Sequence, residues 1–313
     1  MSQISLFIVG LIGLWLGTKW VVKSALGIAE RFNLSHVFVG LAILAVGTDL
    51  PEVFVTLKAS FLQLKGIESS GIITGNAIGS SISQISIILG VAGLFMNFTI
   101  EKKELFRDGV ALIGSIILLF IVGYDGEISR IEGLILLFAY MVYYFILLKS
   151  SGNTSNSSKE QEHLSVLKIA AYLVIGFVVL IFASHLVVET ALFFAKEWGV
   201  EQSFVGIVLI GLGTSLPELA VSVGAAIKKS SGISVGNIIG SNIFDTIIPI
   251  GIGGSISKIS MESGLLKFDL PVLFAITLLV LLFLATKKGI SKVEAIILIA
   301  LYLLYVLAKI FIF

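Results

Sequence analysis

Val39–Ser60, VGLAILAVGTDLPEVFVTLKAS, returns without a gap as Val205–Ala226, VGIVLIGLGTSLPELAVSVGAA, 166 residues later. Gly40, Gly47, Thr48, Leu50, Pro51 and Glu52 recur as Gly206, Gly213, Thr214, Leu216, Pro217 and Glu218. A second stretch, Gly71–Gln84 (GIITGNAIGSSISQ), returns as Gly232–Asp245 (GISVGNIIGSNIFD) at a spacing of 161. The shorter spacing means a tighter loop between the two motifs in the second half. The chain is therefore a duplication, and the duplicated unit carries acids inside apolar sequence.

The surroundings say what kind of unit it is. Of 313 residues, 57% are hydrophobic and 13% charged, where a soluble domain carries about a quarter charged. Apolar runs near the roughly 20 residues that cross a bilayer core recur throughout, among them Ile4 to Trp20, Ile131 to Leu148, Leu270 to Thr286 and Ile296 to Phe313. A coarse reading gives ten spans, centred roughly on residues 12, 46, 84, 116, 140, 175, 212, 245, 278 and 302. The polar segment Lys149–Leu164, KSSGNTSNSSKEQEHL, separates five spans from five and has the composition of a flexible connection. Five spans per repeat reverse the polarity of the second copy. The expected fold is an all-α membrane protein: ten transmembrane helices as two inverted five-helix repeats, residues 1–149 and 165–313, joined by a linker at 150–164. Lysines and arginines favour one side by about two to one, which predicts both termini outside and the linker in the cytoplasm of a cell (plasma) membrane protein. The apolar N-terminus has no cationic leader and reads as a retained first span.

Several functions drop out. Without cysteine there is no thiolate site or thiol nucleophile, and a net charge of +1 gives nucleic acid no footprint. Three histidines, His36, His163 and His185, are too few for a histidine-rich metal site. Tyr124-Asp125 resembles half of an intramembrane aspartyl dyad, but Gly211-Leu212-Gly213 is followed by Thr214 and not by Asp. A rhomboid-like pair would need Ser215 and His185, and Ser215 belongs to the repeated motif. The expectation is a carrier and not an enzyme, with no cofactor and no obligatory protein partner beyond the lipid bilayer.

Asp49, Glu52, Glu218 and Asp245 stand in mid-span sequence. A carboxylate at the bilayer centre costs at least ~2.5 to 3.5 kcal/mol, so four left uncompensated cost on the order of 10 kcal/mol, comparable to the whole stability of a domain, roughly 5 to 15 kcal/mol. No lysine or arginine stands mid-span in these segments, whereas hydroxyls and amides do. Four-residue spacing puts Thr48 with Glu52, Thr214 with Glu218, Ser80 with Gln84 and Ser241 with Asp245 on shared helix faces. Pro51 and Pro217 remove helical donors and are expected to free carbonyls around residues 45–48 and 211–214. Carboxylates, hydroxyls and carbonyls form an all-oxygen donor set suited to hard cations.

GTDLPE and GTSLPE, followed by GNAIGSS and GNIIGSNIFD, closely resemble the two alpha-repeats of the cation/calcium exchanger superfamily, in particular its prokaryotic sodium/calcium exchanger branch. The resemblance spans the whole chain. It implies an antiporter exchanging Na+ for Ca2+, with Ca2+ bound by Glu52, Glu218, Thr48 and Thr214. It further implies sodium or coupling-ion sites at Ser215, Ser80, Ser241, Ala45, Gly211, Asp245 and Gln84. Two positions depart from the family pattern: Asp49 replaces a serine and Gln84 an asparagine. Asp49 is assigned to the coupling-ion set, and, three residues from Glu52, is expected to titrate with it as a pair. A proton-driven exchanger of the same fold fits less well, since its pattern has a glutamate where Gly79 and Gly240 stand. A potassium-dependent exchanger shares Asp at the position of Asp245. In an exchanger of this kind spans 1 and 6 are expected to slide past the other eight, with Gly10, Gly13, Gly17 and Gly176 serving either close sliding contacts or static packing.

Overall fold

The computed structural model describes residues 3–96, 98, 100–150, 165–197, 211–287 and 289–312. They are nearly all helical: α1 (Gln3–Phe32), α2 (His36–Thr48), α3 (Leu50–Leu64), α4 (Ser70–Phe95), α5 (Lys102–Val122), α6 (Arg130–Ser150), α7 (Val166–Glu197), α8 (Gly211–Thr214), α9 (Leu216–Ile227), α10 (Ser231–Ile256), α11 (Leu270–Lys287) and α12 (Lys292–Ile312). Among the described residues eight helices are long and apolar enough to cross a membrane, or nine when α2 and α3, bent by 40° at their junction, are taken as one span. The chain is a multi-pass membrane protein. The expected seventh span is represented by α8 and α9; its beginning, with Val205 to Ile210 of the repeat, lies outside the described residues, as does nearly all of the linker.

Burial ranks the helices. In α10, 89% of the apolar stretch is covered by protein, against 17% in α1. The cause is composition. Glycine, serine and asparagine run through α10 and let α2, α4, α6 and α9 approach its backbone, the small-residue packing that replaces hydrophobic driving force between helices in lipid. An added Cβ at Gly236 would stand 2.4 Å from the Val37 carbonyl oxygen, and one at Gly40 would stand 2.7 Å from the Asn237 nitrogen.

The lipid-facing α1 and α7, of 30 and 32 residues, are each about 45 Å long at 1.5 Å per residue. That exceeds a hydrocarbon core of about 30 Å, so they must tilt. They pack along each other. A Cβ at Gly17 would meet the Gly176 carbonyl at 3.0 Å and the Leu180 side chain at 2.8 Å, and one at Gly13 would meet Ala183 at 2.8 Å. The α1 and α7 glycines expected to face a rigid bundle instead join these two helices to each other.

One departure from an all-helical fold has topological value. The strands β1 (Glu127–Ile128) and β2 (Ile259–Ser260) pair antiparallel. β1 follows α5 and β2 precedes α11, so the end of α5 and the start of α11 lie on one face of the molecule. These two helices occupy equivalent places in the two halves of the sequence and run in opposite directions.

Candidate cation site

Both copies of Gly-Thr-x-Leu-Pro-Glu fold as a helix end, a single non-helical residue and a helix start. Asp49 has φ −81° and ψ 2°, and Ser215 has φ −90° and ψ 13°, the bridge region that interrupts a helix without positive φ. Pro51 and Pro217 then stand in the first turn of α3 and α9, where the missing N–H has no helical acceptor to lose.

The break corrects two sequence expectations. Because α2 ends at Thr48 and α3 starts at Leu50 at an angle, Thr48 and Glu52 do not share one continuous helix face, and the same interruption separates Thr214 from Glu218. The contacts cross between repeats instead: Glu52 lies beside Thr214, and Glu218 beside Thr48 and Asp49. Nor is the Ala45 carbonyl freed. It accepts the Asp49 N–H at 3.0 Å and the Thr48 hydroxyl at 3.2 Å, and Thr48 also donates to the Leu44 carbonyl at 3.1 Å. Gly211 opens α8.

Asp49, Glu52, Glu218 and Asp245 are fully buried and close enough to act on one another electrostatically. None of them takes part in an ion pair among the described residues. Both carboxylate oxygens of Asp49, Glu52 and Glu218, and Oδ1 of Asp245, have no hydrogen-bond donor among the described residues. Gln84 donates from Nε2 to Asp245 Oδ2 at 2.7 Å, across a separation of 161 residues. Ser80 shares a hydrogen bond with Thr214 (3.3 Å), Ser83 donates to Ser215 (3.3 Å), and the buried Ser241 hydroxyl has no partner among the described residues. Acids and hydroxyls of both halves thus meet in one buried region. Among the described residues no three acids or histidines converge as a ready-made metal cage, so an ion there would draw on hydroxyls and carbonyls as well as carboxylates. Seven orphaned carboxylate oxygens fit a hard cation as the missing partner.

Sequence reasoning missed several partners. Asn242 Nδ2 donates to the Ser81 carbonyl at 2.5 Å, again across 161 residues, and the Ser81 and Thr246 hydroxyls lie 3.1 Å apart. Tyr144 donates to the Ala42 carbonyl at 3.2 Å, inside the π-helical turn Gly40–Leu44. A second π-turn, Gln84–Ile88, begins on the Asp245 partner. Such turns open the regular ladder and recur at functional positions. Ser81 and Asn242 stand at matching places in the repeated motif, a signal that becomes a contact only when the two copies are known to face each other.

Two cavities border Thr214. One, of about 520 Å³, runs between α4, the π-turn Leu265–Asp269 and α12; the other, of about 370 Å³, is lined by Pro51, His185, Val188 and Pro217. Val55 lines both.

A bundle of broken apolar helices thus encloses four buried carboxylates that pair with no lysine or arginine among the described residues. The chain belongs to the sodium/calcium exchanger protein family, whose model matches residues 2–149 and 168–311. It is similar to the sodium/calcium exchanger MaX1 of Methanosarcina acetivorans, at 30% identity across 98% of both chains. A solved structure of the sodium-calcium exchanger NCX_Mj superposes with a TM-score of 0.84 at 31% identity, covering 98% of each chain. A partial likeness, 31% identity over 128 residues or 40% of this chain, connects it to the sodium/potassium/calcium exchanger 3 of Homo sapiens.

Proposed function

We propose that this protein exchanges Na+ for Ca2+ by alternating access through the buried centre, with Ca2+ held by Glu52, Glu218, Thr48 and Thr214. Na+ or another coupling ion is held by Asp49, Ser215, Ser80, Ser241, Asp245, Gln84, Ala45 and Gly211. The observation that carries this reading is the crosswise arrangement of Glu52 by Thr214 and Glu218 by Thr48, with no lysine or arginine paired to either glutamate among the described residues. Bare carboxylates enclosed by lipid and protein are costly. The empty carrier is therefore held back from isomerising, and cation loading permits it, which couples the two fluxes.

The scaffold in this reading is two inverted five-helix repeats, residues 1–149 and 165–313, with a cytoplasmic linker at 150–164 and both termini outside the plasma membrane. Two features support it: the opposite directions of α5 and α11, and the hydrogen bonds Gln84–Asp245 and Asn242–Ser81 between residues one repeat apart. A potassium-coupled variant of the same exchange is favoured only by the 128-residue likeness to the human protein.

Radioactive Ca2+ uptake into proteoliposomes under an imposed Na+, K+ or H+ gradient tests both. The expectation is uptake driven by Na+ alone and lost in Glu52→Gln and Glu218→Gln. Uptake driven only by protons overturns the sodium assignment, a requirement for K+ selects the second reading, and full activity in both variants overturns the site.

A further inference from the structure

The larger cavity carries an ion pair that the proposed binding site does not use. Asp269, in the π-turn Leu265–Asp269 ahead of α11, is 1% exposed. It accepts the Lys309 ammonium at 2.6 Å and the Tyr305 hydroxyl at 2.9 Å. All three side chains line the cavity, which extends from the exposed Glu262 to Thr214. The facing wall is α4 backbone at Gly75 and Gly79, where an added Cβ would meet nothing within 4 Å among the described residues. A conduit from the surface to the candidate site thus has one buried acid on its wall, Asp269, with a lysine offsetting it, and the exposed Glu262 at its mouth.

Packing does not call for such a pair, because replacing a buried ion pair with apolar side chains is often neutral or stabilising. The repeat supplies a second observation. Asp108 stands 161 residues before Asp269, the spacing of the second repeated motif, and it too is neutralised. Arg107 grips it through two hydrogen bonds, at 2.6 and 2.7 Å, and the Tyr143 hydroxyl lies 3.4 Å away. Since α5 and α11 run in opposite directions, the two acids lie toward opposite faces of the molecule. Each half therefore places an acid, its cation and a tyrosine of the following helix at one face.

We propose that Lys309 and Asp269 set the charge of the cation entry route on the Glu262 side: the offset acid keeps the conduit from becoming either a trap or a barrier. This rests on the exchange reading above. Fixed charge on the wall of a low-dielectric cleft changes local cation concentration by tenfold or more. Lys309→Met bares Asp269 and lowers the KM for Ca2+ entering from that side by about tenfold at low salt. Asp269→Asn leaves the lysine alone and raises KM. The double variant returns close to the parent, and added salt shrinks both shifts because the conduit meets water at the exposed Glu262.

The experiment measures KM and kcat for Ca2+ in proteoliposomes at low and high ionic strength for the parent, both single variants and the double. Opposite KM shifts that salt erases support the proposal; same-sign losses, or changes in kcat alone that salt leaves untouched, make the pair a packing element and overturn it. A second readout needs no transport. In a chain without cysteine, Gly75→Cys is labelled by a cationic methanethiosulfonate, and the expected order of rates is Lys309→Met fastest and Asp269→Asn slowest. Equal rates in all backgrounds overturn the proposal even where exchange is intact, and the ordered rates stand even where the coupling ion proves not to be Na+. Tyr302→Cys, on the opposite wall, gives the same readout should Gly75→Cys fail to fold.

Discussion

Replacing Gln84 with leucine would leave Asp245 with neither carboxylate oxygen hydrogen-bonded, since Oδ1 already lacks a donor and Nε2 of Gln84 is the partner of Oδ2. A hydrogen bond to a charged group is worth about 1.5 to 3 kcal/mol, so Gln84→Leu is expected to lose about that much stability in chelator, read by unfolding in detergent. A loss no larger than that of a lipid-facing control, Phe138→Leu, would mean that the amide is not holding the acid. At this scale the sequence was informative about identity and poor about partners. The acids and hydroxyls it nominated, Asp49 included, are buried except Thr214, which is half-buried and borders both cavities. The four-residue spacing nonetheless paired Thr48 with the wrong glutamate, because it assumed an unbroken helix and one residue at Asp49 turns the chain.

Glycine contacts decide how the elements meet. Gly40 of α2 rests against the backbone of α10, where a methyl group would stand 2.7 Å from both the Asn237 nitrogen and the Ile233 carbonyl oxygen. Backbone atoms of a packed helix have little room to yield, and overpacking costs about 1 to 3 kcal/mol or more. Gly40→Ala should therefore lower the melting temperature, while Gly75→Ala, with open space at its Cβ, should hold or raise it, given the roughly 1 kcal/mol by which alanine is preferred over glycine inside a helix. Equal melting temperatures would refute the tight α2–α10 contact. The breaks themselves were legible, since proline and a repeat are local signals. The π-turns were not: at Gly40–Leu44 the Tyr144 hydroxyl of another helix takes up the Ala42 carbonyl, and nothing in GLAIL announces that donor.

For the whole molecule, the buried acids predict ligand-dependent stability. A cation that binds only the folded chain stabilises it by about 2.7 kcal/mol at a hundred times its Kd. Ca2+ should raise the melting temperature of the parent and leave that of a Glu52→Gln, Glu218→Gln double variant in place; equal shifts in both would remove the glutamates from the site. The multi-pass character followed from composition, and counting spans led to the proposed opposed polarity of the halves, which the opposite directions of α5 and α11 support. Contacts such as Lys309 with Asp269, 40 residues apart, had no signature, because an offset charge pair leaves no periodicity. The Gln84–Asp245 bond has a further consequence for how such a chain arises. In the proposed two-repeat arrangement these residues are counterparts, so they meet at the pseudo-twofold axis, where each position faces its own copy. Two identical halves would set acid against acid or amide against amide there, whereas a donor opposite an acceptor requires the copies to differ. A mutation at this point is shared by both partners in a dimer of identical subunits but free in a fused chain, so the amide–acid pair is one that duplication within a single chain makes available and a symmetric ancestor of two separate halves could not have held.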